Sequence, residues 1–102
     1  RQFPPELELM LFRIVQEALT NIGRHSQATK VLVKLDFSER DINIVIRDNG
    51  QGFNIPVKIS DLAGSGKLGL VGIQERTQLL GGILNLESEL GKGTTLTVNV
   101  PL

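Results

Sequence analysis

The chain has no cysteine, tryptophan or tyrosine, a single histidine, and four aromatic residues among 102, all of them phenylalanine. Without cysteine there is no disulfide framework and no thiolate metal centre. The lone His25 cannot build a histidine-rich metal site. So few aromatics argue against a protein that stacks on nucleic-acid bases. Charge of either sign is not in excess, since Lys+Arg and Asp+Glu both number 11 and cancel. No long-range field therefore draws the chain to a polyanion or a membrane surface. No apolar run approaches the roughly 20 residues that cross a bilayer, and no secretory pattern opens the chain. These absences lead to the expectation of a cytoplasmic setting, with neither nucleic acid nor direct membrane contact.

What is present is an apolar fraction of 40%, rich in Val, Ile and Leu. That is enough for one modest core, so residues 1–102 are read as a single domain. Its abrupt start at Arg1-Gln2-Phe3 is expected to be a boundary inside a longer protein. Pro4-Pro5-Glu6 is a helix-entry signal. From Glu6 to about Arg24, Leu7, Leu11, Ile14, Val15, Ala18 and Ile22 recur at three- and four-residue spacing, one buried stripe on a long helix. Lys30–Phe37 and Ile42–Asp48 alternate apolar and polar residues and predict a hairpin of half-buried strands around the turn 38–41. Residues 49–69, with five glycines, read as a long loop, and loops of that length in a compact domain are usually functional. A second helix is predicted from Leu70 to Leu80, closed by Gly81-Gly82. Ile83–Ser88 and Thr95–Val100 predict a second hairpin. Hairpins with helices collected on one face make this an α+β two-layer sandwich, not a doubly wound parallel sheet.

Four constellations could carry chemistry. On the long helix Glu17 and Asn21 are four residues apart and Arg24 three further, so they project from one side bordering the apolar stripe, with His25 at the frayed end. A carboxylate, an amide oxygen and a guanidinium there could hold a metal-bound phosphate, or could simply form a polar helix flank. Asp48-Asn49-Gly50-Gln51-Gly52 puts an acceptor at a strand end beside glycines that let backbone approach a flat ligand. It also fits an ordinary turn. It is not a dinucleotide fingerprint, since no helix opens at these glycines, and the chain has no Walker A lysine motif. Gly64 to Ile73 runs from glycines straight into a helix start, either an anion site or a flexible linker. Gly91-Lys92-Gly93-Thr94-Thr95 is a plain hairpin turn or a loop whose hydroxyl joins a ligand.

Taken in order, these four resemble the motifs of the Bergerat-fold ATPases: histidine kinases, gyrase, Hsp90 and MutL. The stretches FRIVQEALTNIGRHSQA, LGLVGIQERTQLLGG and GKGTTLTVNVPL are more specifically similar to bacterial sensor histidine kinases that partner NarL/LuxR-type response regulators. The resemblance covers essentially the whole chain. It implies the catalytic domain of a two-component histidine kinase: a mixed, mostly antiparallel sheet with helices on one face and a long ATP lid. ATP and Mg²⁺ are the implied substrate and ion.

Carried over residue by residue, Asn21 is the implied Mg²⁺ ligand and Arg24 a phosphate contact, with His25 against the sugar or base. Asp48 is the implied acceptor for the adenine amine, with Gly50 and Gly52 giving it room. Gly66, Leu68, Gly69 and Gly72 lie where the helix start meets phosphate, residues 54–68 form the lid, and Thr94 stands behind adenine. Glu17 matches a carboxylate that activates water in gyrase-like relatives, and here would position metal-bound water or assist as a base. The implied chemistry is phosphoryl transfer by positioning and charge neutralisation.

The implied phosphoacceptor histidine sits on a separate dimerising helical domain that nothing here matches, and His25 does not fit that role. The chain by itself is therefore expected to bind ATP as a monomer without completing a reaction. The strand that precedes the long helix in such domains is also expected to be cut away, which would leave one sheet edge open. A related Bergerat-fold ATPase or anti-sigma serine kinase is the alternative in the same fold, and a nucleotide-free interaction module the alternative from another class.

Overall fold

The computed structural model describes residues 3–25, 27–52 and 68–102. In chain order the elements are α1 (Pro5–His25), β1 (Val31–Phe37), β2 (Asp41–Asp48), α2 (Leu68–Leu79), β3 (Ile83–Glu89) and β4 (Gly93–Pro101).

Helix α1 begins on Pro5, whose missing N–H is no loss in a first turn. The Pro4 carbonyl accepts the N–H groups of Leu7 and Glu8 at 3.0 and 3.1 Å. Glu6 and Glu8 complement the positive helix end. The expected stripe is the buried one: Ile14 and Ala18 are in the core, and Leu7, Leu11, Val15 and Ile22 pack against it. On α2, Leu70, Ile73 and Thr77 are buried at three- and four-residue spacing. The Thr77 hydroxyl is satisfied inside the helix by donating to the Ile73 carbonyl at 2.8 Å. The helix opens at Leu68, two residues ahead of the sequence expectation, because two residues of a glycine-rich stretch join its first turn. It closes where Gly82 N–H reaches the Thr77 carbonyl and Gly81 N–H the Gln78 carbonyl, each at 2.9 Å.

The strands form one sheet in the order β1-β2-β4-β3, antiparallel throughout. Register fixes which side chains share a row. Phe37, Ile42 and Val100 lie in line, as do Leu35, Ile44, Val98 and Leu84, and Val33, Ile46, Leu96 and Leu86. The two helices pack on each other and on this face, α1 against β2 and α2 against β3. Beneath them Ile42, Ile44, Ile46, Leu96, Val98 and Val100 are buried. The opposite face is polar. Asn99 donates to Asp41 Oδ2 at 2.9 Å, and Arg47 Nε donates to Thr95 Oγ1 at 3.3 Å. Donation by Asn99, and then by Ser38, holds the Asp41 carboxyl below the usual carboxylate range.

The expectation that β1 is half buried needs correction. Val31, Val33, Leu35 and Phe37 share the core face by register, yet they are 44%, 39%, 46% and 55% exposed. Alternation reports which side a residue faces, but helices that pack on β2 and β3 do not cover the edge strand β1. No described helix is long and apolar enough to cross a membrane.

Candidate functional site

The core face of the sheet changes chemistry at one end. Three strands place apolar side chains on it and then finish on a polar one: Ile46 gives way to Asp48 on β2, Leu96 to Thr94 on β4, and Leu86 to Ser88 on β3. The register makes these three one row, Asp48 opposite Thr94 and Thr94 opposite Ser88. Directly opposed pairs put their side chains on the same face within contact range. Two of the sequence candidates, Asp48 and Thr94, are thus cross-strand neighbours.

Asp48 is 5% exposed. Its Oδ1 accepts the Gly50 N–H at 2.7 Å, a two-residue Asx turn that follows from an aspartate ending a strand before Asn-Gly. Among the described residues its second oxygen takes no hydrogen bond, and since no buried side-chain oxygen there lacks a partner, it is the edge of the carboxylate that reaches the surface, open to a donor from elsewhere. Ser88 Oγ donates to the Gly93 carbonyl at 3.0 Å and lies 2.8 Å from Thr94 Oγ1. With the serine proton on that carbonyl, Thr94 is the donor in the hydroxyl pair and keeps acceptor capacity of its own. A groove of about 430 Å³ opens at the Ser88 end of the row, lined by Leu86, Glu87, Ser88, Glu89, Lys92 and Gly93, with neither Asp48 nor Thr94 in its wall.

Glycine is required at two points around this row. Gly52 has φ of +67°, and a Cβ there would run into the Glu89 carbonyl oxygen. Gly93 has φ of +88°, and a Cβ there would run into the Asp48 carbonyl oxygen. The loop after Asp48 is thus pressed against the β3–β4 turn, a contact completed by Gly91 N–H donating to the Gln51 carbonyl at 2.6 Å. Gly50 is buried beside it.

Glu17 and Asn21 are both half-buried on α1, flanking the core residues Ile14, Ala18 and Ile22. Neither takes a hydrogen bond from the described residues, so the amide oxygen and the carboxylate keep their ligand capacity. Arg24 and His25 close α1, and Leu68 and Gly69 open α2, but the side chains of Arg24, His25 and Leu68 lie outside the described residues. Gly72 is half-buried on α2, where a Cβ would lie 3.3 Å from Arg76 Nη1. Gly66 and lid residues 54–67 also lie outside the described residues.

Two contributors were not picked out from sequence. Ser88 carried a signal, because it breaks the apolar alternation of Leu84 and Leu86 at the same level where Asp48 and Thr94 break theirs. Glu89 carried none, since it acts through its backbone carbonyl.

Residues 6–102 match the family described as histidine kinase-, DNA gyrase B-, and HSP90-like ATPase. The chain is 39% identical over 101 residues to the signal transduction histidine-protein kinase/phosphatase DegS of Brevibacillus brevis, covering 99% of this chain and 25% of that protein. It is 37% identical over 102 residues to the oxygen sensor histidine kinase NreB of Staphylococcus carnosus, covering 100% of this chain and 28% of that one. The chain thus spans about a quarter of the length of these relatives. Among solved structures it superposes on the blue-light activated histidine kinase of Erythrobacter litoralis EL346 with a TM-score of 0.75 at 28% identity, over 97% of this chain and 31% of that chain. It shares its fold with the Acinetobacter baumannii histidine kinase AdeS, with a TM-score of 0.71 at 18% identity, over 90% of this chain and 45% of that one. A buried carboxylate at a strand end, glycines that let the next loop close on a hairpin, and these likenesses over nearly every residue converge: the chain belongs to the HATPase_c family of ATP-binding ATPase domains.

Proposed function

We propose that this chain binds Mg-ATP and presents the γ-phosphoryl group to a histidine on a separate helical domain, as the catalytic part of a two-component sensor kinase. The observation that carries the reading is the row Asp48–Thr94–Ser88, with one oxygen of a buried carboxylate left over. An exocyclic amine is the kind of donor that oxygen accepts, and the flat ring it belongs to lies where Gly50 and Gly52 bring backbone close. Thr94 offers a hydroxyl acceptor behind the same ring.

The phosphate end falls to α1 and α2. Asn21 supplies a neutral oxygen, a hard ligand suited to Mg²⁺. The donor set fits such an ion: the Asn21 amide oxygen and the Glu17 carboxylate are hard oxygen donors one turn apart on α1, and Mg²⁺ ordinarily takes few protein ligands beside phosphate and water. When bound, the ion neutralises phosphate charge. Glu17, one turn back on the helix, orients water at that end. Arg24 supplies positive charge and His25 a ring against the sugar. The N-terminal part of α2, with Leu68, Gly69 and Gly72 in it, offers N–H groups and a positive dipole end to phosphate, and Gly66 is assigned to the same contact from its motif alone.

Transfer breaks the bond from the γ-phosphorus to the bridging oxygen of ADP and forms a phosphorus–nitrogen bond on the acceptor imidazole. The chain's part in it is to hold the nucleotide in line and balance charge. A NarL/LuxR-type response regulator would then receive the phosphoryl group, in the cytoplasm.

The test is isothermal titration with a non-hydrolysable ATP analogue, with and without Mg²⁺, on wild type and Asp48→Asn. Micromolar binding by the wild type that is lost in the variant supports the pocket. A folded wild type that binds nothing refutes it.

A further inference from the structure

Asn49, between the carboxylate of Asp48 and the glycine of its turn, has a side chain held through both its amide oxygen and its amide nitrogen by one distant segment. Its Oδ1 accepts the backbone N–H groups of Thr29 and Lys30, each at 2.9 Å, and its Nδ2 donates to Thr29 Oγ1 at 2.9 Å. Its own N–H reaches the Lys30 carbonyl at 3.3 Å. Asn49 is itself exposed. An exposed amide can satisfy itself with water, so three protein partners in one two-residue stretch amount to a clamp. The clamped stretch is the connection from α1 to β1. His25 ends the helix, Gln27 turns the chain with φ of +56°, and Thr29 and Lys30 follow before β1 begins. The β1–β2 ladder starts only at Val31, opposite Asp48, so Asn49 holds the two residues that the ladder does not reach.

Neighbouring residues therefore give one loop its own turn and tie it to two other parts of the fold. Asp48 bonds within its own turn, Asn49 holds the exit of α1, and the Gln51 carbonyl accepts from the β3–β4 turn. We propose that Asn49 is a positioning residue for the nucleotide: it fixes the span between Asp48, at the base end, and the last turn of α1, at the phosphate end. This rests on the nucleotide reading above. A ligand gripped at both ends gains affinity from the second grip only when the two ends stand at a set separation. Without the clamp each grip survives but their simultaneous use weakens.

The experiment compares wild type, Asn49→Ala and Asn49→Asp against two probes: adenosine alone, and the Mg²⁺ complex of a non-hydrolysable ATP analogue. Amide proton shifts of Thr29 and Lys30 are recorded alongside. Asn49→Ala is expected to weaken the Mg²⁺-nucleotide roughly tenfold, as loss of an orienting partner does, with adenosine affinity unchanged and both amide shifts altered. Asn49→Asp keeps both acceptor contacts through Oδ1 but lacks the Nδ2 donor, and is expected to restore the shifts and most of the Mg²⁺-nucleotide affinity. An equal loss on both probes, no loss in Asn49→Ala, or an Asp variant that restores the shifts without the affinity overturns the proposal. If Asn49→Ala does not fold, Thr29→Val decides. It removes only the Nδ2 partner and should show a smaller loss confined to the Mg²⁺-nucleotide, and an unchanged ratio of the two affinities overturns the proposal. A wild type that binds neither probe overturns the nucleotide reading and this one together, whereas wild-type binding left intact in Asn49→Ala overturns this one alone.

Discussion

Gly91 and Gly93 sit two residues apart in the β3–β4 turn with nearly the same backbone, φ of +82° and +88°. Alanine at either position carries the same intrinsic strain, about 1 kcal/mol for an L-residue in the left-handed region. Their surroundings differ. A Cβ on Gly91 meets nothing within 4 Å, while one on Gly93 would overlap the Asp48 carbonyl and stand 3.1 Å from Asn49 Cα. Those neighbours are backbone at the end of a paired strand and cannot rotate away. Forcing them apart adds roughly 1–3 kcal/mol, the usual range for overpacking. Gly91→Ala should therefore cost about 1 kcal/mol and Gly93→Ala about 3. For a domain of this length about 1 kcal/mol lowers Tm by roughly 4–8 °C, so thermal melts followed by circular dichroism should separate the two variants by about 10 °C. The separation has a functional counterpart, because the displaced carbonyl belongs to Asp48: Gly93→Ala should lose nucleotide binding at temperatures where it is still folded, and Gly91→Ala should not. Equal Tm shifts would refute the close contact. A folded Gly93→Ala that binds like wild type would refute its link to the site.

Leu35 and Ile44 are direct cross-strand partners on the same face, one 46% exposed and the other 0%. Ile44→Ala should cost about 3 kcal/mol and Leu35→Ala about 1 in urea unfolding, a gap that vanishes if the helices cover β1 after all. Asp41 is held below its ordinary range, so its contribution to stability is present above the unfolded value near 3.8 and is lost as pH falls through the lower folded value. Asp41→Asn should accordingly flatten the acid limb of a stability–pH curve below about pH 4, and an unchanged limb counts against the Asn99 and Ser38 bonds as its cause. Despite its open edge, β1 carries alternating Lys34 and Asp36, which pair at 3.8 Å and discourage strand-to-strand association. Light scattering at micromolar concentration should report a monomer.

How far the sequence led depends on whether a feature is periodic or relational. The stripe on α1 and the alternation of β2 and β4 were legible because helix and strand periods are local, and the buried residues Ile14, Ala18, Ile42, Ile44, Ile46, Leu96, Val98 and Val100 follow them. The ends of elements shifted by a residue or two, as at Leu68 and Gly93, where glycine gave a loop signal inside a helix and a strand. The exposure of β1 was not legible. Its pattern equals that of β2, and what differs is which strands lie beneath the helices, a fact of sheet order that no single strand records.

The site divides in the same way. Asp48 and Thr94 could be named from their motifs, but not their adjacency, because only the β2–β4 register makes residues 46 positions apart face each other. Once that register is known the local chemistry follows quickly. A strand that is apolar at every core-facing position has one end where the core runs out, and a polar residue there must be bonded or must leave an atom for a ligand. Ser88 takes the first course, donating to the Gly93 carbonyl and accepting from Thr94, while Thr94 is bonded through its proton and keeps a lone pair. Asp48 takes the first course with one oxygen only. The backbone partners, the Glu89 carbonyl under Gly52 and the Asp48 carbonyl under Gly93, are invisible in sequence because any residue has a carbonyl. What can be read is the glycine that each carbonyl demands, so a glycine next to a candidate ligand group is itself evidence that another strand passes close by.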